Sequence, residues 1–281
     1  MRRPSPRVLA AAFAIVVPLA PSASAQGDNG FLRGDGHTDV ALTYGQEQFK
    51  YFWVGTDRMK DAGIGHVFRE SYNLWVAHGL RDDLDVVVAA AIVHAETDKG
   101  TTGFRDYSSL GDSTIGVKWR VFDQRLGPGA LSILAAPGFK IPLSHYEANA
   151  VTALGDGQVD ARGRVVAQYG CDCGAYVALE TGYDLRFSGT PDETPVHLSI
   201  GTTLFKNLTI APFYSYVNSF GHNDIGESDF PNVEEDYERA GVNFYLRFND
   251  RVGATLGFKT TLNGRNTGDS WGYSWGFVFR L

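Results

Sequence analysis

The C-terminal stretch Trp271-Gly-Tyr-Ser-Trp-Gly-Phe-Val-Phe-Arg-Leu281 is the part of the sequence that decides the fold. Large apolar side chains, most of them aromatic, occupy every second position, and the positions between hold glycine, serine, valine or arginine. A period of two gives a β-strand one apolar face and one small or polar face. The stretch therefore predicts a strand whose aromatic face is covered by lipid or by a protein core.

The same alternation recurs upstream and predicts about twelve strands in all. The segment from Leu84 to Val93 is apolar on both faces, and its valines favour a strand over a buried helix. Besides the terminal one, the predicted strands lie near residues 38–48, 67–79, 84–96, 109–122, 130–142, 158–169, 174–187, 196–204, 207–218, 240–248 and 252–259.

The connections between these segments alternate in length. Short turns are predicted at 80–83, 123–129, 170–173, 205–207 and 249–251. Long linkers are predicted at 49–66, 97–108, 143–157 and 219–236, and linkers of modest length at 188–194 and 263–270. An even number of strands places both termini and all short turns at one end, as in outer-membrane barrels, which have short periplasmic turns and longer extracellular loops.

The first 25 residues differ from the rest and predict a cleaved signal peptide. Three arginines precede an apolar run from Val8 to Ala20, and Ala23-Ser-Ala25 provides small residues for cleavage. Loss of those arginines takes the formal net charge from −7 to −10, which argues against a nucleic-acid partner. The expected organisation is a signal peptide at 1–25, a short periplasmic lead at 26–36 and a barrel at 37–281.

The predicted fold class is all-β, a single transmembrane antiparallel β-barrel of about twelve strands in the bacterial outer membrane. No apolar stretch after the signal is long enough for a membrane helix, and only a closed barrel can otherwise satisfy the backbone in lipid. A soluble β-sandwich would show similar alternation. Aromatic residues near strand ends favour the membrane and predict interfacial girdles that include Tyr51, Phe52, Trp53, Tyr214 and Tyr216.

Several stretches resemble the MetA-pathway-of-phenol-degradation-like outer-membrane proteins, which are related to FadL-type channels. They are Asp39-Val-Ala-Leu-Thr-Tyr44, the segment from Asn73 to Asp85, the segment from Leu110 to Arg120, and Pro137-Gly-Phe-Lys-Ile-Pro142. The resemblance implies a twelve-stranded outer-membrane pore for small molecules, hydrophobic or aromatic compounds among them. The chain departs from the pattern in ending with Leu281, and residues 26–36 show no recognisable inserted hatch.

If the apolar faces meet lipid, the charged residues between them line the lumen. They could select solutes along a pore, or they could neutralise one another in a network that fills a narrow barrel. The lumen-lining candidates are Lys118, Arg120, Lys140, Arg162, Arg164, Glu180, Asp184, Arg186, Arg247 and Lys259.

We expect a passive outer-membrane channel for small molecules and no enzyme. The alternatives are a non-transporting barrel with a structural or surface-interaction role, and a lipid hydrolase that uses His197 and Ser199. The polar pair lacks a nearby acid to orient the histidine, and alternation points it away from lipid. The expected partners are outer-membrane lipid and lipopolysaccharide, the barrel-assembly machinery and small solutes, with no nucleic acid.

The sequence predicts no cofactor and no metal site. Cys171 and Cys173 occupy a predicted turn without further ligands nearby, and they could be reduced or oxidised. A loop rich in carboxylates could hold divalent cations but lacks the spacing of a calcium loop, so a solvated loop is favoured. Its acidic residues are Asp224, Glu227, Asp229, Glu234, Glu235 and Asp236.

Overall fold

The computed structural model describes residues 29–60, 65–98, 107–146, 148, 153–187, 189–228 and 232–281, so the predicted signal peptide lies outside the described residues. Within them no helix is long and apolar enough to cross a membrane. The strands are β1 (Thr38–Val54), β2 (Asp57–Lys60), β3 (Val67–Arg81), β4 (Leu84–Thr97), β5 (Tyr107–Leu110), β6 (Asp112–Leu126), β7 (Gly129–Pro142), β8 (Asp160–Cys171), β9 (Ala175–Arg186), β10 (Glu193–Leu204), β11 (Leu208–Ser219), β12 (Asp236–Arg247), β13 (Val252–Arg265) and β14 (Gly268–Arg280).

These strands close into a single antiparallel barrel with twelve positions around the wall. The short strands add no position, because β2 pairs with β1 beyond the start of β3, and β5 precedes β6 with only Gly111 between them. The barrel closes where β14 pairs with β1, from Arg280 opposite Asp39 to Gly268 opposite Phe52. Closure removes the free sheet edges that would otherwise expose unpaired backbone groups. The predicted fold class is confirmed.

The barrel has two different ends, here called the turn end and the loop end. The turn end holds Thr38, Leu281 and five short turns, at 82–83, 127–128, 172–174, 205–207 and 248–251. Phe205 and Lys206 take φ values of 52° and 66°, as a tight hairpin requires. The loop end holds the longer connections. In outer-membrane barrels the short turns face the periplasm.

Two predicted loops are shorter than expected because strands continue through them. β1 runs on to Val54 and turns back as β2, inside the linker predicted at 49–66. β13 and β14 extend through 263–270, and only Asn266 and Thr267 form the turn, with Asn266 at a φ of 49°. The apolar alternation stops where lipid contact stops, so the sequence pattern ends before the strand does.

The outer face carries the large apolar side chains. Leu42, Ile200 and Trp275 are 51%, 52% and 49% exposed. Leaving such a belt in water costs about 25 cal/mol per Å² of apolar surface, and hydrocarbon removes that cost. The alternation therefore predicts correctly which side chains of these strands point outward.

The predicted girdle is wrong for two of its residues. Phe52 and Trp53 are each 5% exposed, because β1 continues above the lipid-facing wall and folds over the loop end. Phe52 packs against Val67, and the guanidinium of Arg58 lies 4.0 Å from the centroid of the Tyr51 ring. These aromatic residues therefore stabilise the β1–β2 hairpin.

Candidate functional site

The barrel interior is the candidate site, since it collects the polar and charged side chains of every strand. Side chains on the inner face alternate with the exposed apolar ones, as Lys118, Glu180 and Asp184 show with exposures of 2%, 5% and 2%. From the turn end to the loop end, the interior divides into three parts: a segment of the lead, a middle cavity and a loop-end cavity.

The lead residues from Asn29 to Arg33 lie inside the turn end of the barrel. The backbone N–H of Gly30 donates to Gln168 Oε1 at 2.9 Å, and Lys118 Nζ donates to the carbonyl of Phe31 at 3.0 Å. Leu32 packs against Leu134 and Val166, all of them buried. An inserted hatch is not recognisable in the sequence because the segment is short and polar, but its contacts with β6, β7 and β8 make it one.

Arg33 fixes this segment through two buried carboxylates. Its backbone N–H donates to Asp85 Oδ2 at 2.9 Å, and its guanidinium pairs with Asp39. The Arg33 side chain is 2% exposed and Asp39 is fully buried. Arg280 also binds Asp39, at 3.0 Å, so the lead is held where β1 meets β14. A buried pair of this kind resists opening, because removing one partner leaves an uncompensated charge.

The middle cavity has a volume of ≈ 280 Å³ and a lining of mixed polarity. Hydroxyl and amide side chains are contributed by Thr43, Ser71, Asn73 and Asn243, while Trp75 forms part of an apolar wall. The guanidinium of Arg33 lies 5.9 Å from the Trp75 ring. Trp75 therefore borders the cavity on one side and the lead on the other.

Part of the long connection between β7 and β8 folds into the loop end. Leu154 is buried with Val93 and Ala95 on the inner face of β4. The carbonyl of Ala153 accepts a hydrogen bond from Arg69 at 2.6 Å. Asp156 pairs with Lys140 at 2.5 Å, and although burial acts to raise its pKa, Lys140 and Arg186 lower the pKa of Asp156 to about 2. Residues 153–156 are here called the inward loop.

The loop-end cavity, ≈ 330 Å³ in volume, lies between the inward loop and the opposite wall. Glu47 is the centre of that wall, with Lys259 at 2.6 Å and Arg239 at 3.7 Å. Ser270 also donates to Glu47, at 2.6 Å. Glu47 and Arg69 line both cavities, so the two spaces adjoin.

Three of the predicted lumen-lining residues lie at the turn end. Lys118 binds the lead, as described above. Arg120 donates to the carbonyl of Asp82 at 2.8 Å, and Arg247 donates to the carbonyl of Lys206 at 3.0 Å. Arg120 and Arg247 thus bind the turns at the rim of the barrel and are not part of the lining of either cavity.

The other predicted residues form ion pairs farther up the interior. Arg164 lies 3.2 Å from Glu180 and also pairs with Asp184, and Arg162 lies 3.5 Å from Asp184. The remaining pairs join Lys140 to Asp160 at 2.5 Å, Arg186 to Glu193 at 3.1 Å and Lys259 to Glu47 at 2.6 Å.

Sequence reasoning missed several charged residues of the cavities. Glu47 and Arg69 follow the inward phase of β1 and β3, and Arg239 follows that of β12, so period two could have identified them. Asp156 gave no such signal, because its position depends on how the inward loop folds.

The structure separates the two residues considered for lipid hydrolysis. His197 Nδ1 lies 2.7 Å from Ser215 Oγ, while Ser199 is hydrogen-bonded to Tyr176. Both His197 and Ser199 are buried on the inner face of β10. Neither His197 nor Ser199 therefore faces the lipid surface.

Cys171 and Cys173 form a disulfide in the turn between β8 and β9. At the opposite end, the acidic loop is fastened to the β13–β14 turn. Arg265 lies 2.8 Å from Asp224 and 2.7 Å from Glu234. Hydrogen bonds from Arg265 and Asn266 lower the pKa of Asp224. Among the described residues, no group of three or more metal-ligating side chains could hold a metal ion, and Asp229 lies outside them.

Solved structures of other proteins share this architecture. An outer membrane channel from Pseudomonas putida F1 is similar over 91% of this chain and 100% of its own, with 12% identity and a TM-score of 0.73. The chain has the fold of an outer-membrane β-barrel. Two further structures are more distant. The NanC porin is 9% identical over 87% of this chain and 100% of its own, with a TM-score of 0.53. The translocator domain of the autotransporter NalP from Neisseria meningitidis is 11% identical over 88% of this chain and 89% of its own, with a TM-score of 0.50. No protein-family profile and no curated protein matches the sequence.

Proposed function

We propose that the barrel is a passive channel for small polar solutes. The observation that carries this proposal is the pair of adjoining cavities, ≈ 280 and ≈ 330 Å³, which are lined by hydroxyl, amide and charged groups. Burying a polar group without a hydrogen-bond partner costs free energy. A barrel interior that was packed without water would therefore be expected to be apolar. The likeness to an outer membrane channel is consistent with this role.

The lead would act as the barrier on the periplasmic side. It fills the turn end with Leu32 and Arg33, and a solute that has crossed both cavities meets this segment next. We propose that passage requires the lead to shift. A hydrophobic or aromatic solute, which the family resemblance implies, would find Trp75 and Phe213 in the middle cavity, but it would first have to cross the charged loop-end cavity.

A second candidate is a barrel that transports nothing and presents its loops to other molecules. The ion-pair networks and the inserted lead favour this reading, since both reduce the open cross-section. Planar-bilayer recording separates the two functions. Discrete current steps from folded protein support the channel, and a complete absence of current from both the intact chain and a chain without its lead supports the alternative.

Contact with lipopolysaccharide and delivery by the barrel-assembly machinery are further parts of the proposal. The aromatic outer face of β14, with Trp271 and Trp275 about half exposed, supports them. Replacing Phe277 and Phe279 by serine should lower the amount of folded protein in the outer membrane. An unchanged amount would count against recognition of β14 during assembly.

A further inference from the structure

The charges around the loop-end cavity are divided between two opposite walls. In the twelve-position ring β12 lies opposite β6, and β3 lies opposite β10. Counted over the described residues with every group ionised, one wall carries an excess of one positive charge and the other an excess of two negative charges. The basic wall is lined by Arg69 and Arg239 with Glu47 and Glu235, and Lys259 lies behind it, paired with Glu47. The acidic wall is lined by Asp112, Asp156 and Glu193 with Lys140 and Arg186, and Asp160 lies behind it, paired with Lys140.

The basic wall also has two buried hydrogen-bond donors for which the described part of the chain supplies no acceptor. Arg69 and Arg239 line this cavity, and their buried Nε atoms have no hydrogen-bond partner among the described residues. The guanidinium of Arg239 stacks on Tyr237, with its carbon 4.1 Å from the ring centroid. A guanidinium held flat in this way presents its edge to a planar anion such as a carboxylate.

The size of the cavity limits what can bind between the walls. Its volume of ≈ 330 Å³ is at the lower end of the range of small-molecule sites, about 300–1,000 Å³. A solute must therefore be small, and it must place opposite charges on opposite sides to match both walls. A simple anion or a simple cation is repelled by one wall as it is attracted by the other.

We infer that this cavity selects small zwitterions, with the carboxylate toward Arg69 and Arg239 and the ammonium toward Asp112, Asp156 and Glu193. The inference rests on the proposed channel function and names its substrate class. Fixed charges in a partly dehydrated cavity act more strongly than in bulk water. The arrangement therefore favours a dipolar solute over a neutral one of the same size.

Solute entry into proteoliposomes tests this inference with four probes of nearly equal size. They are alanine (zwitterion), alaninamide (cation), lactate (anion) and lactamide (neutral). We expect alanine to enter roughly fivefold faster than each of the others, which is equivalent to about 1 kcal/mol. Equal rates, or a faster rate for lactate or alaninamide, would overturn the inference. Potassium chloride conductance is measured on the same preparation. If current flows but alanine has no advantage, the zwitterion inference is wrong; if no current flows, the channel proposal is wrong.

Two substitutions on opposite walls identify the residues responsible. Arg239→Gln and Glu193→Gln should each bring the alanine rate close to that of lactamide while conductance persists. Arg125→Gln is the control, because that side chain is 69% exposed at the turn end and pairs with Asp172, away from both cavities. Circular dichroism and heat-modifiable gel mobility establish that each variant is folded. A folded Arg239→Gln or Glu193→Gln barrel with the full alanine preference contradicts the inference.

Discussion

The backbone N–H of Arg33 donates to Asp85 Oδ2 at 2.9 Å, although 52 residues of chain separate the two. This contact ties a segment that precedes the first strand to the inner face of β4. Together with the pairing of Arg33 and Asp39, it holds the lead inside the turn end of the barrel.

The first prediction concerns how the lead is held. Arg33→Ala removes the guanidinium that pairs with the buried carboxylate of Asp39, and breaking such a pair costs about 3–5 kcal/mol. We expect chymotrypsin to cleave after Phe31 in this variant and not in the unaltered protein. Asp35→Ala is the matched control, because Asp35 lies in the same segment but is exposed. Protection of Phe31 in the folded Arg33→Ala barrel would show that the arginine does not hold the lead.

The second prediction concerns ion selectivity. Glu47 is the carboxylate between Lys259 and Arg239, so Glu47→Gln leaves the basic wall with a larger positive excess. A charge change of this kind is worth about 1 kcal/mol in a wet site, and we expect the permeability ratio of chloride to potassium to rise roughly fivefold. The reversal potential in a salt gradient measures this ratio. Glu70→Gln is the control, since Glu70 hydrogen-bonds Tyr44 on the outer face, and an equal shift in both variants would contradict the placement of Glu47.

The third prediction concerns the hydrogen bonds of Asn266, which is fully buried. Its Nδ2 donates to Asp224 Oδ1 and to the carbonyl of Glu234, both at 2.8 Å, and its Oδ1 accepts from Gly55 at 2.8 Å. Each buried group left unsatisfied costs about 1–3 kcal/mol. Asn266→Ala should therefore lower the free energy of unfolding in urea by several kcal/mol. Asn249→Ala is the control at the turn end, where the amide is exposed and the loss should be smaller; equal losses would contradict the role of Asn266.

The fourth prediction concerns acid. Because the pKa of Asp156 is lowered to about 2 in the folded chain, its contribution to stability is complete above its unfolded value and is lost as pH falls toward about 2. Pepsin should therefore leave Leu154 intact near pH 4 and cleave it as the pH approaches 2. Asp156→Asn should permit cleavage already near pH 4, whereas Asp123→Asn at the turn end should not. Resistance of the Asp156→Asn barrel near pH 4 would show that other contacts hold the inward loop.

The sequence predicted the wall of the barrel better than its contents. Alternation predicted correctly which side chains of β13 and β14 point outward, because the outward positions, such as Leu256 and Trp275, are apolar where they contact lipid. It could not predict the inserted lead or the inward loop, since Leu32 and Leu154 lie in short irregular segments without any alternation. Their positions depend on partners far along the chain, such as Leu134 and Val93.

For the charged residues, the sequence likewise predicted the direction of the side chains but not their partners. Lys259 and Arg164 were predicted to face inward, and the structure places them there, but their partners depend on the pairing of strands. The sequence therefore identified candidates for the interior without showing that Lys259 and Arg239 share one wall with Glu47. The excess of charge on each wall emerges only from the closed ring.

The most direct measurement compares the single-channel conductance of the intact mature chain with that of a chain lacking residues 26–33, in the same planar bilayer and salt. If the interior is a solute path with the lead as its inner barrier, the shortened chain should show larger and more frequent current steps than the intact one. Identical conductance from two folded proteins, or silence from both, would contradict the account.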